Sequence, residues 1–155
     1  MSTFLKTIEI LCLGIWLGMI CLLSFVVAPG AFSLMPNQDL AGEIVRFTLA
    51  RLHFIGLALG VIYLVAHFWR AGSADHLLRL VAFLVLAMIL LTAFSQFYVG
   101  AHMAQLRRDM GSIASTSQSS PLRQEFEQYH KYSVWLESAV LLIGFAAMYL
   151  TVRSD

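Results

Sequence analysis

In a chain of 155 residues of which only 12% are charged, the side chains to weigh first are those that carry charge or a ligand atom into an apolar stretch. They are Arg51, His53, Gln96 and Glu137, with His67, His76, His102 and His130. An ionisable group at membrane depth costs about 3 kcal/mol or more, so it faces a bundle interior and takes a partner there. Counted at the helical rise per residue, Arg51 and Glu137 each lie about 10 Å in from the same end of their stretches. Gln96 reaches that layer from a third stretch, and His53 lies just beyond Arg51. An Arg51–Glu137 ion pair is therefore expected. The layer reads as an ion pair that fixes helix register, as a polar pocket, or as a ligand cluster for haem or metal.

His53 and His67 share one helical stripe, separated by about 21 Å along the axis, with Gly60 midway between them. One helix of a dihaem cytochrome b holds its two axial ligands at this separation. Haem b at the first position would pair His53 with His130, which is better placed than His102; at the second it would pair His67 with His76. Packing or interface histidines are the competing reading. A weaker second layer holds Glu9 and Arg79 near His67 and His76, and snorkelling of both charges explains it. Copper has little support: Cys12 and Met19 share a face, but Met88, Met103, Met110 and Met148 are scattered. No Gly-rich phosphate loop, nucleophile elbow or His-Glu-x-x-His occurs, which argues against hydrolysis and phosphoryl transfer. A non-enzymatic protein is expected.

The elements that would position these residues are four apolar stretches at about 7–32, 44–69, 77–99 and 133–152. A bilayer crossing takes about 20 apolar residues, and in lipid such a segment must be helical. With 59% hydrophobic residues and a mean hydropathy of +0.78, the chain is no ordinary soluble domain. The expected fold is an all-α integral membrane protein, an antiparallel four-helix transmembrane bundle forming a single domain over 1–155. The first stretch exceeds the h-region of a signal peptide and is read as a retained span. Cys12 and Cys21 fall on opposite faces of it and cannot pair with each other.

One face, face A, holds the N-terminus, the turn at 70–76 and the C-terminus. Face B holds the connection at 33–43 and a longer amphipathic hairpin at 100–132, expected in the headgroup layer. Pro36 ends the first span, Asn37 or Asp39 can cap the second, and Ser120 and Pro121 fit N-cap and N1 of the last helix. Six of the ten Lys and Arg residues lie toward face B, which places 100–132 in the cytoplasm by the positive-inside rule, in a bacterial inner membrane. The net charge of +1 carries no signal for nucleic acid. The partner expected throughout is the lipid bilayer.

Gly14 with Gly18 and Gly56 with Gly60 are small-xxx-small pairs that let helix backbones approach closely. Packing of span one against span two is the leading reading, with a homodimer or another membrane protein as partner the next. The segment WLGMICLLSFVVAPGAF (16–32), with Trp16, Gly18, Pro29 and Phe32, is similar to the opening of the transmembrane-protein-205-like family of small four-span proteins. RRDMGS (107–112) followed by FEQYHKYSVWLE (126–137) resembles that family's second block, although Tyr129-His130 stands where Leu-His is usual. The resemblance runs the whole length and implies a four-helix membrane domain. A more distant likeness to copper-resistance-D-like proteins, some relatives of which bind haem b, adds to the haem reading. The functions expected are an accessory subunit of a membrane complex or a handler of a small solute, and alternatively a small b-type cytochrome carrying electrons.

Overall fold

The computed structural model describes residues 2–70 and 76–154. They form four helical rods. α1 runs Ser2–Leu22, passes through a π segment at Leu23–Val27 and continues as Ala28–Leu34; α2 is Gln38–Arg70. α3 runs His76–Phe94, through a second π segment at Ser95–Val99, and on as Gly100–Met110; α4 is Pro121–Arg153. No strand occurs among the described residues. The expected turn at 71–75 and the His76 side chain lie outside them.

The helix ends follow local chemistry. Met35 is extended (φ −80°, ψ 134°), as the residue before a proline must be. Asn37 Oδ1 accepts the Asp39 N–H at 2.8 Å and so opens α2, while the Asp39 carboxylate is used elsewhere. It accepts from Ser112 Oγ (2.6 Å), the Ile113 N–H (2.9 Å) and the Ala114 N–H (3.3 Å), tying the 111–120 connection to the start of α2. Gly111 closes α3 at φ 72°, a conformation that L side chains avoid. Ser120 has the extended N-cap backbone with Pro121 behind it, but its side chain makes no capping bond.

Neighbouring rods pack in chain order, α1 on α2, α2 on α3, α3 on α4, and α4 back on α1, which closes an antiparallel four-helix bundle. Leu13, Trp16, Leu17, Tyr63, Val85, Met88, Val140 and Ala147 fill its centre. The outer surface is equally apolar: Trp69 is 77% exposed, Trp135 75%, Phe25 72% and Leu142 70%. All four rods are long and apolar enough to cross a membrane, the mark of a multi-pass membrane protein.

The two glycine pairs divide. Gly56 and Gly60 are buried where α2 meets α1 and α3. A Cβ on Gly56 would collide with the Trp16 indole, and one on Gly60 would lie 2.7 Å from Ile89 Cγ1 and 2.9 Å from Trp16 Cζ3. Gly14 and Gly18 are exposed instead, and nothing lies within 4 Å of a Cβ built on Gly18. The expectation that Gly14 and Gly18 pack span one on span two is thus corrected. Trp16 and Leu17, between them in sequence, point inward, which at 100° per residue turns both glycines out.

Candidate functional site

The inward stripe of α2 reads His53, Gly56, Gly60, Tyr63, Ala66 and His67, all buried, with the Arg70 side chain 5% exposed at its end. Steps of three and four keep these residues on one face. A His–carboxylate pair sits near each end of the stripe.

Near face B, His53 Nδ1 lies 2.9 Å from Gln96 Oε1 of α3, and its Nε2 lies 3.1 Å from Glu137 Oε2 of α4. The His53 side chain is 2% exposed and that of Glu137 13%. Gln96 enters from the π segment of α3, where the extra residue re-aims the chain. Trp16 rests on Gly56 and Gly60 and Glu9 on His67 and Arg70, a pairing that sets the π segment of α1 opposite roughly residues 49–53 of α2. Both π segments thus flank the same layer. Because Gln96 Oε1 only accepts, it holds a hydrogen on Nδ1 and leaves Nε2 facing the carboxyl. Two arrangements satisfy that contact: an imidazolium donating to a carboxylate, or a carboxylic acid donating to a neutral imidazole. They differ by one proton moving along one hydrogen bond.

The expected Arg51–Glu137 pair does not form. Arg51 is exposed, with its guanidinium 5.1 Å from the Phe47 ring centroid. Residues two apart on a helix diverge by about 200°, so His53 and Arg51 cannot both face inward. Among the described residues the layer holds His53, Gln96 and Glu137, without a compensating arginine.

Near face A, Glu9 is fully buried. Arg70 donates to it twice, Nε to Oε1 at 3.0 Å and Nη2 to Oε2 at 2.9 Å, and His67 Nδ1 lies 3.3 Å from Oε1. Arg70 Nη2 also donates to Ser154 Oγ at 3.1 Å, and Ser154 Oγ donates to Thr151 O. Tyr63 stacks on His67 with centroids 5.6 Å apart. Its hydroxyl meets Thr151 Oγ1 at 2.7 Å, and since Thr151 donates to Ala147 O, Tyr63 is the donor. This corrects the snorkelling account: Glu9 pairs with Arg70 inside the bundle, while Arg79 is exposed. The sequence carried a signal for this, because the stripe through His53, Gly60 and His67 extends by three residues to Arg70. The forked guanidinium makes this end a closed, charge-balanced clamp. The face-B pair lacks such a fork and meets through a single contact of 3.1 Å.

The remaining histidines are dispersed. His102 Nε2 bonds Glu125 Oε1 at 2.9 Å and its ring packs on Tyr129. His130 is exposed and lies about 10 Å along α4 from Glu137, so the depth expected to pair it with His53 is wrong by about two turns. Both His53 nitrogens are engaged by Gln96 and Glu137, and His67 lies between Tyr63 and Glu9, so His53 and His130 are not brought together; the His67–His76 pairing lies outside the described residues. Among the described residues no cluster of three His, Cys, Asp or Glu side chains suits a metal ion.

The fold and site define a small four-helix protein with membrane-length rods and a partly buried His–Gln–Glu cluster. The chain belongs to the family described as Domain of unknown function (DUF4149), whose profile matches residues 11–112. No curated protein and no solved structure matches it.

Proposed function

We propose that this is a non-enzymatic integral membrane protein that handles a small solute, and that the solute is a proton held between His53 and Glu137. The observation carrying this reading is a largely buried carboxyl, 13% exposed, 3.1 Å from a buried imidazole, with no arginine beside it among the described residues. Buried Glu and His chains are the usual means of moving protons through a bundle. The other ionisable groups near that layer are turned away or paired. Arg51 and Tyr98 are exposed and His102 is bonded to Glu125; His130 and Lys131 are exposed on α4, and Cys21 is half-buried on α1.

Insertion is supported by exposed amphipathic residues at two levels. On α2 Arg51 and Trp69, and on α3 Tyr98 and Arg79, are exposed and bracket about 27–29 Å of helix, close to the ~30 Å of a bilayer core. The distribution of Lys and Arg supports face B on the cytoplasmic side of a bacterial inner membrane. The likeness to transmembrane-protein-205-like proteins agrees with this architecture.

The test is difference infrared spectroscopy on protein in lipid as pH is stepped. A protonated-carboxyl band that changes with pH, and that disappears in Glu137→Gln but persists in Glu125→Gln, supports the proposal. A parent protein with no such band, or a band unchanged in Glu137→Gln, refutes it. A second reading, an accessory subunit docked on a membrane partner or a second copy, draws on the outward placement of Gly14 and Gly18; loss of co-purified partner or dimer in Gly18→Leu tests it. The cytochrome alternative is tested by colour, since a haem-supplied preparation without a Soret band ends it.

A further inference from the structure

Three buried polar side-chain atoms near the face-B cluster have no partner among the described residues: Trp16 Nε1, Thr92 Oγ1 and Ser95 Oγ. Their residues are 1%, 1% and 3% exposed. Elsewhere in this chain, hydroxyls on membrane-length helices bond their own backbone four residues earlier, as Thr7, Thr48, Ser138 and Thr151 do. Thr92 and Ser95 do not spend their hydroxyls that way, although both are more deeply buried than Thr48 and Ser138.

The three atoms lie within about one helical turn of one another in depth. Thr92 lies one turn toward face A from Gln96, and Gly56 one turn toward face A from His53. Since His53 and Gln96 are bonded to each other, Thr92 and the indole N–H resting on Gly56 enter at the same level, about 5 Å beneath that bond. Ser95 adjoins Gln96 at the start of the π segment. Trp16 also meets α3 from the other side, because it and Ile89 both close on Gly60.

We propose that Trp16, Thr92 and Ser95 form a hydration site holding one or two water molecules, which carry the His53–Glu137 proton inward from face B. The chemistry selects the occupant. An indole N–H only donates, which repels a cation, and the one adjoining group that can carry positive charge, His53, already faces the Glu137 carboxyl, which repels an anion. Two hydroxyls donate or accept as required, so the ligand must do both and be small, and water does. A buried donor or acceptor left unmade costs about 1–3 kcal/mol, and buried waters make about three hydrogen bonds each with such groups. The transport role given to this water rests on the proton reading above, whereas its presence does not.

The experiment is nuclear magnetic resonance of protein carrying 15N-tryptophan in lipid nanodiscs. Of the three indole N–H signals, Trp16 should show a magnetisation-transfer peak to water despite its burial. Thr92→Val combined with Ser95→Ala should remove the peak and slow Trp16 deuterium exchange at least tenfold, while Thr92→Ser, which keeps the hydroxyl, should retain it. A parent Trp16 signal with no water contact overturns the site, and so does a double variant that keeps the peak. If the Trp16–water peak is present but the Glu137 band never responds to pH, the hydration site stands and the proton function falls.

Discussion

Arg70→Met tests the buried clamp at face A. It would leave Glu9, fully buried, with only His67 at 3.3 Å, in place of the two arginine hydrogen bonds at 2.9 and 3.0 Å. Removing one partner of a buried pair costs about 3–5 kcal/mol, because the surviving charge is left uncompensated. For a chain of this length that is a Tm fall of roughly 6–20 °C. Glu9→Gln should cost a similar amount by stranding Arg70. The double variant Glu9→Gln/Arg70→Met strands neither charge, so it should be at least 2 °C more stable than the worse single variant. Differential scanning fluorimetry in one detergent across the cycle reads all four proteins. Arg46→Ala is the control: the Arg46 and Glu43 side chains are 49% and 48% exposed, and an exposed pair contributes about 0–1 kcal/mol. Additive losses in the double variant, or a single Arg70→Met change as small as the control's, would show that the clamp is not coupled and that Glu9 is solvated in solution.

The glycine pairs should respond oppositely: Gly60→Leu forces a side chain into Ile89 and Trp16 and should cost about 1–3 kcal/mol or more, whereas Gly18→Leu on an open face should change the monomer's melting by no more than about 0.5 kcal/mol. Equal melting of both in detergent contradicts the packing described. Gln96→Leu leaves the His53 Nδ1–H buried without an acceptor and should cost about 1–3 kcal/mol, while Arg51→Gln, outside the cluster, should be near neutral; a reversed order by chemical denaturation would restore Arg51 to the layer. In a Cys12→Ala/Cys21→Ala background, Ser119→Cys should react with an impermeant maleimide in inside-out vesicles and stay unlabelled in intact cells, and labelling in intact cells inverts the orientation.

Hydrophobic length alone determined that this chain makes four antiparallel helices, because an apolar stretch of membrane length has one way to satisfy its backbone. The sequence also determined that His53, Gln96 and Glu137 share a depth, since depth is residue count multiplied by a fixed rise. It did not determine which way each side chain points. Depth is one coordinate and azimuth is another, and azimuth depends on how the four helices are rotated against each other. Arg51 and His53 have nearly the same depth and opposite azimuth, so counting residues offered the wrong partner for Glu137. Gly14 and Gly18 have the spacing of a helix contact, yet the large neighbours Trp16 and Leu17 won the interior and turned them out. The clamp at Glu9 required tertiary structure altogether, because a charge near a helix end reads as snorkelling until packing from α2 and α4 closes over it. The unpartnered hydroxyls of Thr92 and Ser95 were equally invisible, since only the packed bundle decides whether a hydroxyl meets its own backbone, lipid or a shared interior site.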